Sequence, residues 1–184
     1  SRTYSPNVYG APTASANVTS GPLNTPQSVN VVTNDTAGSG TTLNPASVKL
    51  CSGAQVAPNC TATSVTVAGV GTYTVASTGV VTFTPVTGYT GTPAGVTYQV
   101  ADNKNQVASS TYTPTVYGAP AATANTTSGG LDQNQTANLL TNDTAGAGTT
   151  LDPSTIKLCD PTTTPAQSPP NCTGATGTTN TVPG

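Results

Sequence analysis

Gly71-Thr72-Tyr73-Thr74-Val75-Ala76-Ser77-Thr78-Gly79-Val80-Val81-Thr82-Phe83-Thr84-Pro85-Val86 is the stretch that decides the fold class. Tyr73 and Val75 fall on one face of the first run and Val81 and Phe83 on one face of the second, while Thr72, Thr74, Thr82 and Thr84 take the opposite faces. Apolar residues at every second position are what a strand with one buried face requires. Ser77-Thr78-Gly79 between the runs is short and Gly-bearing, which suits a hairpin. The stretch therefore predicts two antiparallel strands with an aromatic and β-branched inner face.

Working outward, the same signals recur. Val29 to Thr33 reads as a strand stopped by Asn34-Asp35, and Val48 to Cys51 as another, with Lys49 facing out and Val48 and Leu50 facing in. Ser64 to Ala68 precedes the central hairpin through Ala68-Gly69-Val70-Gly71. Val96 to Ala101 alternates through Val96, Tyr98 and Val100, and the polar turn Asp102-Asn103-Lys104-Asn105 leads into Val107 to Val116. About seven short strands with closely spaced turns and no 3.6-residue periodicity predict an all-β, immunoglobulin-like β-sandwich with no significant helix. Abundant Thr and Val, both β-branched, agree.

The pattern repeats. Thr3-Tyr4-Ser5-Pro6-Asn7-Val8-Tyr9-Gly10-Ala11-Pro12 returns 108 residues later as Thr111-Tyr112-Thr113-Pro114-Thr115-Val116-Tyr117-Gly118-Ala119-Pro120. From Tyr9 to Cys51, 27 of 43 positions are identical to their partners. A period that long is a whole small domain, so the chain reads as tandem beads. Residues 1–8 match the closing strand of a preceding repeat, residues 9–116 form a complete repeat, and residues 117–184 match the opening half of the next, incomplete alone. The missing strands come either from continuation of the polypeptide, the simpler reading, or from a neighbouring chain by β-strand addition. The short Pro-bearing junction favours a semi-rigid rod.

Composition narrows the function. The chain has no His, Met, Trp or Glu, and only 5% of its residues are charged. Without His or Glu no catalytic constellation can be assembled, so an enzyme is not expected. A net charge of −2 offers nothing to nucleic acid or to an anionic membrane. No apolar run reaches the roughly 20 residues of a membrane span. No metal or other cofactor is expected. Calcium at Asp102-Asn103-Lys104-Asn105 lacks a dense set of oxygen ligands, and Asp35, Asp102 and Asp143 read as turn formers.

Four cysteines allow three connectivities. One pair per copy makes Cys51–Cys60 and Cys159–Cys172 the simplest. Zinc is the rival, weakened by two cysteines per site and no His. Closing loops this short removes about 3 kcal/mol of unfolded-chain entropy each. Disulfides imply an oxidising, extracellular setting.

Val31 to Leu50 with its Asn34-Asp35-Thr36-Ala37-Gly38 core, Gly71-Thr72-Tyr73-Thr74-Val75, Gly79-Val80-Val81-Thr82-Phe83-Thr84-Pro85, Gly88-Tyr89-Thr90-Gly91, Val96 to Asp102 and Tyr112-Thr113-Pro114 form a set of motifs in fixed order. Together they resemble the CshA-type fibril repeat of bacterial surface adhesins. The likeness covers nearly all of residues 23 to 116 and the opening half of the second copy. It implies tandem β-sandwiches forming the stalk of a cell-surface fibril, with ligand binding carried by separate regions. The cysteine-bearing insertion between Leu50 and Ser64 departs from that family.

The expected role is thus a structural component of an extracellular bacterial fibril or filament, at the cell surface or secreted. Its partners would be neighbouring repeats or identical subunits. The alternative is an adhesive module whose repeats themselves contact host or matrix ligands, which exposed aromatic or charged clusters would favour. Ice binding, suggested by Thr72-Tyr73-Thr74 and Thr82-Phe83-Thr84, needs longer and flatter Thr arrays than a twisted sandwich supplies. Seven Asn-x-Ser/Thr sequons occur, at Asn17, Asn34, Asn59, Asn125, Asn134, Asn142 and Asn171, and many Thr hydroxyls offer O-linked positions. Covalent glycans would keep so uncharged a chain soluble. Intact-mass analysis of native material is therefore expected to exceed the polypeptide's 18.0 kDa per such segment. A mass equal to the bare chain removes the glycan reading.

Overall fold

The computed structural model describes residues 2–159 and 166–173. The chain divides into two compact units, Ser1–Ala119 and Pro120–Gly184. The first contains eight strands: β1 (Asn17–Pro22), β2 (Gln27–Asn30), β3 (Leu43–Leu50), β4 (Ser64–Val67), β5 (Gly71–Val75), β6 (Val80–Pro85), β7 (Val96–Asp102) and β8 (Val107–Tyr117). They form two four-stranded sheets of order β1-β8-β7-β3 and β2-β6-β5-β4. This is an all-β sandwich, as the alternation requires.

The central hairpin pairs as its faces predict, with Tyr73 opposite Phe83 and Val75 opposite Val81. Gly79 turns the hairpin with a φ of +83°, which a side chain would strain. Tyr73, Val81 and Phe83 from this sheet meet Val48, Leu50, Tyr98, Val100 and Tyr112 from the other, all 2% exposed or less. The Tyr73 ring lies 4.8 Å from that of Phe83 and stands edge-on to Tyr112 at 6.0 Å. Such tilted and edge-to-face pairs add about 0.5–1.5 kcal/mol beyond area burial. Outside, hydroxyl pairs such as Ser28–Thr82 at 2.8 Å and Thr66–Thr72 at 3.0 Å tie neighbouring strands across the solvent face.

Three strands differ from their sequence reading, each for a local reason. β1, the eighth strand, has only one apolar side chain, Val18, which points outward at 76% exposure, and it ends in Gly21-Pro22. It is an edge strand joined in parallel to β8, with Asn17 opposite Tyr112 and Pro22 opposite Tyr117. β2 ends at Asn30 rather than Thr33. The Asn30 side chain accepts from Val32 N, and its carbonyl accepts from the Thr33 hydroxyl, so the chain turns out of the sheet there. Val31 stays in the core through its N–H to Gly79 O at 3.1 Å. β3 begins at Leu43 because the sheet tolerates a bulge between Asn44 and Lys49. Pro45 has no N–H to give the ladder, and the Ser47 hydroxyl accepts Ala101 N at 2.7 Å in its place.

The second unit has no named strand among its described residues, only a 3-10 turn over Pro153–Thr155 capped by Asp152. Its opening nevertheless copies the first unit. Ala121 bridges Thr144 as Thr13 bridges Thr36.

The Tyr73 hydroxyl is buried without a hydrogen-bond partner, and burial, followed by the nearby Tyr112 and Tyr89, pushes its pKa up to about 12. Removing an unsatisfied hydroxyl relieves its desolvation cost. Tyr73→Phe is therefore expected to equal or exceed the parent in stability, whereas Phe83→Ala loses about 3–5 kcal/mol. Urea denaturation of the two variants checks this. A clear loss in Tyr73→Phe shows that the hydroxyl has a partner.

Candidate functional site

The most densely wired part of the first unit is a polar knot where the opening loops meet β7. Asn17, at the head of β1, is only 6% exposed, and its Nδ2 donates to Ser15 O at 3.1 Å, Tyr98 Oη at 3.2 Å and Val31 O at 3.4 Å. The Tyr98 hydroxyl lies within hydrogen-bond distance of Asp35 Oδ1 at 2.9 Å and Ser15 O at 3.0 Å. Asp35 Oδ1 also accepts Ser15 N at 2.8 Å. Next to it Asn34 Nδ2 donates to Ala16 O at 3.1 Å. These side chains satisfy the backbone of two loops that no strand ladder covers.

Burial lifts the Asp35 carboxyl above its ordinary value, against the Ser15 N–H and the Tyr98 hydroxyl, which pull it down. Burial, then Asp35, raises the Tyr98 phenol far above its ordinary range. At Asp102 burial also opposes ionisation. There the N–H groups of Gln106 and Lys104, the Thr41 hydroxyl and the Lys104 charge outweigh it and hold the carboxyl low. The Asp102 oxygen that receives Lys104 N at 2.8 Å and Gln106 N at 2.9 Å is thereby committed to its own turn. Asp35 is more than a turn former, and sequence reasoning missed its link to Tyr98. The available signal was that Asn17 and Asp35 recur as Asn125 and Asp143 at the same spacing.

The second unit carries the same clasp. Thr123 N donates to Asp143 Oδ1 at 2.7 Å, Asn125 Nδ2 to Thr123 O at 3.1 Å and Leu139 O at 3.2 Å, and Asn142 Nδ2 to Ala124 O at 3.0 Å. Beside it lies an open apolar groove of about 750 Å³ lined by residues including Thr127, Gln135, Leu139, Leu140, Ile156 and Leu158.

Four sequons are therefore built into these clasps. The side-chain nitrogen that an N-linked sugar needs is already donating in Asn17, Asn34, Asn125 and Asn142. Asn59, Asn134 and Asn171 are exposed. Cys51 is bonded to Cys60 and Cys159 to Cys172, one bridge within each unit. The first bridge is docked on the sheet, with Cys51 N on Thr97 O at 2.9 Å and Cys60 N on Gln99 Oε1 at 2.9 Å. Gln55 Nε2 closes that loop on Thr61, as Gln167 Nε2 does on Thr173 in the second unit. Among the described residues no group of three or more His, Cys, Asp or Glu side chains could hold a metal, and no helix is long and apolar enough to cross a membrane.

A carboxyl whose folded pKa is raised adds stability that is present below its unfolded value and lost as pH rises through the folded one. Asp102, shifted the other way, adds stability that is lost on acidification. Asp35→Asn keeps an acceptor for Ser15 N and Tyr98, so its stability relative to the parent is expected to grow as pH rises from the ordinary carboxylate range through Asp35's raised value. Tyr98→Phe leaves Asn17 and Asp35 each one partner short and is expected to cost about 1–3 kcal/mol. Urea titrations across acid to neutral pH measure both. A pH-independent difference for Asp35→Asn contradicts the assignment.

Comparison with known proteins places this architecture. The profile described as the surface adhesin CshA repetitive domain matches residues 10–116, more than half of the chain and nearly all of the first unit's sandwich. No curated protein and no solved structure gives a significant match. The matched segment contains both sheets, the Tyr98 knot and the Cys51–Cys60 loop. The chain belongs to the surface adhesin CshA repetitive domain family.

Proposed function

We propose that the chain is a non-catalytic structural segment of an extracellular bacterial fibril, in which tandem β-sandwiches set length and stiffness. One observation carries the reading: the second unit rebuilds the first unit's clasp, hydrogen bond for hydrogen bond, at Asn125, Asn142 and Asp143. A chain that repeats its scaffolding, with the same side-chain to backbone contacts, is repeating a spacer. The surface of the first unit supports this, since its outer sheet face carries threonine and serine hydroxyls bonded to one another. The exposed large apolar residues of its folded part, such as Val18, Val56 and Val67, are scattered singly. Exposed Asn59, Asn134 and Asn171 are the sequons on which we place N-linked glycans, with the surface threonines open to O-linked ones.

The adhesive alternative requires a recognition surface on the repeat itself, and no specific feature of this unit favours it. Electron microscopy of purified native material separates the two. Filaments with a regular axial repeat are expected. Isolated monomers with measurable affinity for a host or matrix ligand overturn the stalk reading.

A further inference from the structure

The chain enters the first sandwich through a seat built from two turns. Gly10 N donates to Ser39 O at 3.0 Å, and three residues on, Thr13 and Thr36 exchange both main-chain bonds at 2.9 Å. The entering segment therefore pairs with the loop after β2 well before β1 begins at Asn17. The other wall of the seat is the β7–β8 turn. Asn103 N donates to Thr42 O at 2.9 Å and Thr42 N to Asn103 Oδ1 at 3.3 Å, which ties the two walls together.

Sterics fit this seat to bare backbone. A Cβ on Gly38 would collide with the Gly10 carbonyl oxygen, and one on Gly10 would come within 2.6 Å of Ser39 N. Two facing glycines let the two segments approach more closely than side chains allow. Gly40 has a φ of +73°, and a Cβ there would stand 3.2 Å from the Tyr9 ring. Lys104, from the opposite wall, places its Nζ 4.6 Å over the centre of that ring, within range of a cation–π contact.

The Gln106 side chain closes the seat. Its amide lies between the Asp102 carboxylate and the Gly10 carbonyl, both acceptors, so its nitrogen faces them. In that orientation Nε2 donates to Asp102 Oδ2 at 3.0 Å and to Gly10 O at 2.5 Å. Asp102 is only 2% exposed, and its Oδ1 is already held by Lys104 N and Gln106 N. A buried carboxylate fixed by its own turn thus aims a neutral amide at the entering chain. At the exit, β8 stays in its ladder through Tyr117, opposite Pro22. Tyr117-Gly118 is the counterpart of Tyr9-Gly10 one period later, and Gly146, Gly148 and Thr149 are those of Gly38, Gly40 and Thr41.

We propose that the Gly38–Thr41 loop and the β7–β8 turn form a seat for the Tyr-Gly step that ends the preceding repeat's closing strand, with Gln106 as its latch. The tyrosine that closes one sandwich is then the first residue held by the following one, and no free residue separates them. This deepens the stalk reading and rests on it. Stiffness at the joint comes from the glycine contact, the Gln106 amide and the Lys104–Tyr9 pair, besides the fixed φ of the proline that follows.

Amide hydrogen exchange of the full 184-residue chain, followed residue by residue by NMR, tests the latch. Leu50 N, bonded to Ala62 O at 2.8 Å inside the sandwich, serves as the internal standard. In the parent the Gly10 N–H is expected to be protected. Gln106→Leu removes the donor, and Gln106→Glu sets a second carboxylate against Asp102 and the Gly10 carbonyl. Each is expected to speed exchange at Gly10 about tenfold or more, the charged variant further, with Leu50 unchanged. Gly38→Ala, which fills the seat and leaves Gln106 in place, is expected to do the same. An unprotected Gly10 in the parent, variants that leave its exchange unchanged, or equal acceleration of Gly10 and Leu50 overturns the proposal. If Gly10 fails in any of these ways while native material still forms filaments with a regular axial repeat, the seat is lost and the stalk reading stands.

Discussion

The Tyr98 hydroxyl is the contact on which the rest of the first unit depends. It sits at the end of a buried β7 side chain and reaches the loop before β1 and the loop after β2 through Asn17, Asp35 and Ser15. Those loops share only an isolated bridge, so Asp35, Asn17 and Asn34 satisfy much of their backbone locally and the Tyr98 hydroxyl adds the long-range tie to Ser15 and Val31. The opening third of the repeat is therefore tied to β7 through this one hydroxyl. This coupling holds together a thin core of valines, tyrosines and one phenylalanine, which would supply modest stability in a repeat of this size.

The same coupling explains the state of the second unit. It holds the local half of the knot, with Asp143 and Asn125 clasping Thr123 and Leu139, yet no described residue plays the part of Tyr98. Local sequence thus builds the clasp, while long-range pairing builds the sheet. Side-chain to backbone bonds over short separations form without a core, but strands without a partner face do not.

Most of the fold was legible because β5, β6 and β7 alternate cleanly, and Tyr73, Phe83 and Tyr98 point inward as their positions require. β1 was not legible. Its inward residues are Asn17 and Thr19, polar groups whose burial rests on hydrogen bonds to Tyr98, Gln27 and Tyr112 and to the Ser15 and Val31 carbonyls, partners that strand periodicity does not reveal. The early exit of β2 came from Asn30 bonding its own backbone, and the bulge of β3 from Pro45 and Ser47, both local chemistry that periodicity does not register. Sequons were readable as strings, but their engagement was not: Asn17 and Asn59 look alike in sequence and differ completely in what their amides hold.

The parallel pairing of β1 with β8 joins the first strand of the sandwich to its last. The chain enters this pair at the Asn17 and Tyr112 end and leaves it at the Tyr117 end. Tension applied through the two ends of the unit therefore drags the strands along one another, so that the register from Asn17 to Pro22 is loaded at once instead of opening one bond at a time. In a surface adhesin repeat loaded through its two ends, this geometry is a mechanical clamp.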